Sequence, residues 1–192
     1  LYEATFNELW LNTAKQLTDY TFDHFYDAEK AMFYFTSNED PNLITRKMEI
    51  EDNVIPASNS IMARNLFKLS HYYSNSHYLK VSKQMLGNIK DRTQQYGSGY
   101  SNWLQLMADY AGNYYEIAIA GEDAFNKLIE INKNYIPNKL IAGSASKSNI
   151  PLMEGRYTKD ETLIYICVDG ACKLPETEVN NALDKINTKF SE

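Results

Sequence analysis

The chain has 192 residues, enough for one full hydrophobic core or for a core with a smaller appended unit, and 44% of them are hydrophobic, as in an ordinary globular protein. A net charge of −6, a pI near 5.2 and the lack of any Lys/Arg run exclude general electrostatic attraction to nucleic acid or anionic lipid. No apolar stretch approaches the roughly 20 residues of a membrane span and no signal-peptide pattern opens the chain, so neither nucleic acid nor membrane is an expected partner.

The chain begins without Met, inside a helical pattern, and reads as a segment of a longer protein. From Leu1 to His24, the positions Tyr2, Phe6, Leu9, Thr13, Leu17, Tyr20 and His24 recur at helical spacing, which predicts one core-facing helix with Trp10 and Ala14 widening its apolar stripe. His24 sits among Tyr20, Phe22, Phe25 and Tyr26, where a hydrogen-bonded packing histidine is the commoner case. Residues 32 to 36, MFYFT, combine aromatic bulk with β-branching and predict a short extended piece, ended by a turn at residues 38 to 41. Residues 46 to 52 then alternate charged and apolar positions on the way to a stiff turn.

That turn organises the middle of the chain. Pro56 fixes its own φ and biases Ile55 away from the α region, so a helix starts cleanly after it. Ser58, Asn59 and Ser60 carry short acceptors suited to the free N–H groups of a helix start. Met62, Ala63, Leu66, Leu69 and Tyr73 then give a buried face, with Arg64 and Lys68 on the other side. Two readings of the turn stand side by side. In one, Asp52, Ser58 and Asn59 satisfy backbone donors; in the other, Asp52 and Asn59 project with Arg46 into a cavity and bind a polar ligand.

A polar link at residues 74 to 76 leads to a third helix through Tyr78, Val81, Ser82, Met85 and Ile89. After Gly97 and Gly99 a fourth follows through Tyr100, Trp103, Leu104, Met107 and Tyr110. His71 and His77 flank the link without metal-ligand company and read as surface or packing residues. At Gly112 the period changes. Tyr115, Ile117 and Ile119 alternate as a strand, Phe125, Leu128 and Ile129 follow at helical spacing, and a second strand runs from Lys139 to Ala142, so two parallel neighbours are predicted. Residues 143 to 149, GSASKSN, lack the order of a phosphate-binding loop and read as a mobile loop. A third strand covers Leu163 to Val168, and Val179, Leu183, Ile186 and Phe190 mark the buried side of a last helix.

Cys167 and Cys172 flank Val168-Asp169-Gly170-Ala171, where Asp-Gly favours a tight reversal able to bring the two residues within disulfide range. The spacing differs from C-x-x-C redox motifs, and two sulfurs alone do not make a zinc site. Reduced structural thiols are the first expectation, a structural or regulatory disulfide the second, and catalytic redox chemistry the third. Two cysteines in this length suit a reducing, cytoplasmic setting. No metal and no cofactor is called for.

With these residues in view, the chain resembles the C-terminal part of a family of large proteins that begin with a thioredoxin-like domain, among them the spermatogenesis-associated thioredoxin-domain protein and many bacterial homologues. The resemblance runs from about Phe22 to the end. It rests on the Asp52 turn with Pro56, Asn59 and Ser60, NLFKL at 65 to 69, YIPNKL at 135 to 140, and YICVDGACKLP at 165 to 175. The second part of that family is similar to the six-hairpin (α/α) toroids of N-acylglucosamine 2-epimerases and related glycosidase-like folds. This sequence departs from the family pattern at Asn53 and Val54 in the turn, at Ala31, Met32 and Phe33 where the family has a Gly-Gly-aromatic stretch, and at Met48 where a basic residue stands.

The expected fold is mainly α with a small α/β unit. Antiparallel helical hairpins of a partial (α/α) toroid occupy residues 1–112, and a β-α-β-β-α unit occupies residues 113–192. The resemblance implies a pocket for a carbohydrate-like polar small molecule, with Arg46, Asp52, Ser58 and Asn59 as binding residues. Glu49 and Asp52 are then the candidate acid and base of epimerase- or glycosidase-like chemistry in the full-length protein. The competing expectations are a non-catalytic scaffold or partner-binding module and a thiol redox switch at Cys167 and Cys172. Expected partners are the N-terminal thioredoxin-like domain, the remaining toroid hairpins, and a second copy docked through exposed hairpin surfaces.

Overall fold

A computed structural model describes residues 1–41, 44–94 and 96–187. The chain divides into two compact units: unit 1 comprises Leu1–Leu11, His71–Ser74 and Gly112–Glu192, and unit 2 comprises Asn12–Ser70 and Asn75–Ala111. The first eleven residues thus belong with the sheet rather than with the helical hairpins. The described part is mainly helical with a small mixed sheet. None of its helices is long and apolar enough to cross a membrane.

The single helix expected over residues 1–24 is two. A short α1 (Tyr2–Thr5) ends at Phe6, which takes the left-handed conformation with φ 54°, and α2 (Glu8–Phe25) starts afresh. Asn7 supplies the restart, since its Oδ1 accepts from the Leu9 N–H at 3.0 Å. The left-handed turn lays the Phe6 ring on Gly143, where a Cβ would come within 2.2 Å of the ring. Because the break resets the helical phase, the apolar stripe counted from Tyr2 does not face inward along α2. Leu11 and Thr18 are buried, whereas Leu9 is 61% exposed, Leu17 63% and Tyr20 48%.

Unit 2 holds most of α2, a small hairpin of β1 (Tyr26–Asp27) and β2 (Met32–Phe33), α3 (Ser58–Tyr73) as far as Ser70, and the helices α4 (Ser76–Thr93) and α5 (Ser101–Ala111). Extended structure stops at Phe33, short of the expected Thr36. The three later helices form where the sequence pattern expects them, but in α5 Leu106 is buried and Leu104, expected on the inner face, is exposed. Leu66, Met85, Ile89, Trp103 and Leu106 are fully buried, and at 25 cal/mol per Å² each large apolar side chain so placed contributes about 2 kcal/mol. Asn75 caps α4 by accepting from the Tyr78 N–H, and Ser82 Oγ ties α4 to α3 by donating to the Ala63 carbonyl at 2.7 Å. Near the β hairpin, Phe22 lies against the rings of Phe33 and Tyr78, and His77 packs on Phe22. His24 bridges to Asn38 at 3.0 Å, in the packing role expected of it.

Unit 1 is built on a four-stranded sheet of order β4-β3-β5-β6, with β3 (Tyr115–Ala120), β4 (Lys139–Ser144), β5 (Leu163–Val168) and β6 (Ala171–Cys172). β3 and β4 are parallel, as the strand-helix-strand pattern predicts, and β5 runs antiparallel to β3. Helices α6 (Ala124–Ile131) and α7 (Val179–Asn187) pack on one face, where Ile117, Ile119, Leu128, Ile131, Ile141, Ile164, Ile166 and Val179 form the core. All six residues of β3 are buried, so its other face is covered too, in part by the 3-10 turn Pro151–Met153. Phe190, expected on the buried side of α7, lies outside the described residues.

Candidate functional site

In unit 2 the turn before α3 places its polar groups against one another. Asp52 is 8% exposed, and its carboxylate accepts three hydrogen bonds: Oδ1 from the Ala57 N–H at 3.0 Å and the Ser60 hydroxyl at 2.6 Å, Oδ2 from the Asn102 N–H at 2.9 Å. Its own N–H donates to the Gly99 carbonyl at 2.8 Å. One side chain thereby closes the Pro56 turn and joins it to the start of α5. Burial opposes ionisation of Asp52, yet the donors from Ser60, Ala57 and Asn102 outweigh it and hold the carboxyl below the usual value of 3.8.

Asn59 is fully buried and equally engaged. Its Oδ1 accepts from the Phe33 N–H at 2.8 Å, and its Nδ2 donates to the carbonyls of Phe33 and Glu49, both at 2.8 Å. Glu49 Oε2 accepts from the Ser58 N–H at 3.3 Å, so this carboxylate serves the first turn of α3. Ser58 contributes a backbone donor to that contact. Arg46 stacks 4.0 Å over the Tyr34 ring and donates through Nη2 to the Thr36 carbonyl at 2.5 Å. Arg46 Nε and Thr36 Oγ1 are buried with no partner among the described residues. The segment is further tied by Trp103 Nε1, donating to the Ile50 carbonyl at 2.8 Å, and by Tyr100, whose hydroxyl donates to Glu51.

The structure therefore gathers Glu49, Asp52, Ser58 and Asn59 around one helix start and sets Arg46 on the strap leading to it. A general acid working near neutral pH needs a raised carboxyl pKa, and the Asp52 environment pushes the other way. Glu49 and Asp52 both bond to neighbouring backbone groups, and Asp52 to the Ser60 hydroxyl as well.

Unit 1 carries the cysteine turn. Cys167 and Cys172 are joined in a disulfide, which replaces the first expectation of reduced thiols. They are cross-strand partners of β5 and β6, and the Lys173 N–H bonds to the Ile166 carbonyl in the next pair. The cysteines thus occupy a non-hydrogen-bonded position, where antiparallel strands approach most closely, and their Cα atoms are 3.9 Å apart. Asp169 and Gly170, with φ of 50° and 76°, make the reversal.

Around the disulfide stand residues that pattern reading passes over. Arg156 directs Nη1 to Cys167 Sγ at 3.5 Å and Nη2 to Cys172 Sγ at 3.3 Å. Glu116, the register partner of Cys167 on β3, accepts from the Gly170 N–H at 3.3 Å and meets His71 Nδ1 at 2.6 Å. Of the two readings of His71, surface or packing, the second holds: its buried side chain bridges to the sheet. The signal for this cluster was a carboxylate inside an otherwise apolar buried strand, YEIAIA, because such a charge is tolerated only when partnered.

No family model matches the chain. Over 190 residues it is 23% identical to "Spermatogenesis-associated protein 20" of Homo sapiens, and equally so to the proteins of that name from Mus musculus and Rattus norvegicus. Each alignment takes in 93% of this chain and 24% of the relative, so the chain spans about a quarter of the length of the curated relatives it matches. The chain is distantly homologous to spermatogenesis-associated protein 20 along almost its whole length.

Proposed function

We propose that this chain is a structural segment of a longer thioredoxin-domain-containing protein, lending its helices to a toroid-like assembly without a catalytic centre at the residue 46–60 turn. The observation that carries this reading is the engagement of the turn's polar groups: Asp52 takes three donors and Asn59 makes three bonds, which leaves their polar faces committed to the fold. The apolar positions of α2 that face outward, Leu9, Trp10, Leu17 and Tyr20, support a further helix packing beside it, supplied by the remaining hairpins of the longer protein. A second copy of the chain is the alternative neighbour for that face.

A second reading, a pocket for a carbohydrate-like polar molecule, is favoured by one feature, the buried Arg46 Nε without a partner among the described residues. Thermal unfolding in the presence of a panel of hexoses and N-acetylhexosamines separates the two. The scaffold reading expects no saturable rise in Tm for any of them. A rise with one sugar that disappears in Arg46→Ala establishes the pocket instead.

A further inference from the structure

The disulfide cluster of unit 1 plays no part in the scaffold reading, and its geometry is lopsided. Cys172 is exposed on the edge strand β6, whereas Cys167 is fully buried on β5, so a nucleophile from solvent meets only one of the two sulfurs. The guanidinium of Arg156 reaches both. It is held there by two contacts: Nε donates to the Leu152 carbonyl at 2.6 Å and the Tyr165 ring lies 4.8 Å beneath it, while the Tyr165 hydroxyl ties the Arg156 main chain by donating to its carbonyl at 3.2 Å. An arginine keeps its charge in such a place, and a fixed cation beside sulfur favours thiolate over thiol.

We infer that the Cys167–Cys172 disulfide is a thiol–disulfide exchange site, entered at Cys172 by an external dithiol, with Arg156 holding the sulfur anion that each step releases. A thiolate of the dithiol attacks Cys172 Sγ, a mixed disulfide forms, and the bond to Cys167 breaks with its electron pair left on Cys167 Sγ beside the Arg156 cation. The second thiolate of the dithiol then attacks its own sulfur in the mixed disulfide and releases Cys172 as the second thiolate. Two electrons pass to the protein, the external dithiol becomes a disulfide, and its two protons go to the cysteines or to solvent. Glu116 accepts from the Gly170 N–H, a tie on the hairpin turn that does not run through the sulfur bridge.

The ionisable groups placed beside the sulfurs are Arg156, with Tyr165 of β5 under it, and Glu116 from β3 with His71 behind it. The inference rests on unit 1 residues alone, so it stands or falls apart from the scaffold reading. Dithiothreitol treatment of the native chain, followed by iodoacetamide labelling across a pH series with mass-spectrometric assignment, tests it. Two thiols are expected without denaturant, Cys172 labelling ahead of Cys167, with a rate midpoint about one pH unit below the ordinary thiol value of roughly 8.5. Arg156→Met is expected to return that midpoint to the ordinary value and Arg156→Lys to keep part of the shift. Thiols that appear only in denaturant, labelling of Cys167 first, or a wild-type midpoint at or above the ordinary value overturns the inference. If Arg156→Met does not fold, the wild-type midpoint and labelling order decide it.

Discussion

Asp52 shows how a residue type that suggests catalysis can be used up by architecture. Its carboxylate holds donors from three positions of unit 2, and removing it leaves those donors buried and unmatched. Asp52→Ala is therefore expected to destabilise the chain by about 3 kcal/mol in urea unfolding. The pH dependence follows from the direction of its shift. A carboxyl depressed in the folded state stabilises the fold above the ordinary value of 3.8 and loses that contribution as pH falls through the lower folded value. Asp52→Asn is expected to flatten the acid limb of the stability curve below about pH 4.

Tyrosines act in the opposite sense in unit 1. Burial first, then nearby Glu3 and Glu8 among other groups, push Tyr2 up to about 12, and burial followed by Glu3 raises Tyr72 well above its ordinary value of 10.0. The Tyr72 hydroxyl donates to Glu3 and to the Ile141 carbonyl. Groups raised in this way stabilise fully below the unfolded value of 10.0 and lose that contribution as pH climbs through their folded values, which for Tyr2 is about 12. Alkaline unfolding followed by circular dichroism is expected to begin above pH 10, with a shallower dependence in Tyr72→Phe.

Among the elements, α2 separates apolar pattern from burial. Leu17→Asp on its exposed side is expected to change the stability of the isolated chain by no more than about 0.5 kcal/mol, whereas Trp103→Ala in the core of unit 2 is expected to cost about 3 to 5 kcal/mol. Helices α3, α4 and α5 were legible because Leu66, Met85 and Trp103 lie at helical spacing on faces that are buried. The break at Phe6 was not. Its left-handed turn is specified by a glycine 137 positions later, Gly143, and local periodicity carries no trace of such a partner. The hairpin of β5 and β6 was legible through Asp169-Gly170, but its oxidation state was not, since the same turn accommodates thiols or a bridge. The bridge closes a short loop that the turn already closes. Replacing both cysteines by alanine is expected to lower stability by about 2 kcal/mol at most, with cooperative unfolding retained.

At the scale of the whole molecule, a small sheet with two parallel neighbours and the mainly helical remainder were foreseen from the change of period at Gly112, whereas the antiparallel direction of β5 was not. The grouping of Leu1–Leu11 and His71–Ser74 with the sheet was not, because it depends on contacts far apart in sequence, such as Tyr72 with Glu3 and His71 with Glu116. The residue 46–60 segment was legible as polar residues with two uses, satisfying backbone donors or lining a cavity, and the bonds of Asp52 and Asn59 to backbone groups match the first. Sequence names the donors and acceptors, while the folded turn shows which of them meet: Asp52 and Asn59 are engaged, and Arg46 Nε has no partner among the described residues. The scaffold reading makes Asp52 a tie and not an acid, and the direct measurement is the titration of its carboxyl carbon by NMR, with and without millimolar hexoses and N-acetylhexosamines. A midpoint below 3.8 that no sugar moves is the expected result. A midpoint above 3.8, or one that shifts when a sugar is added, contradicts it.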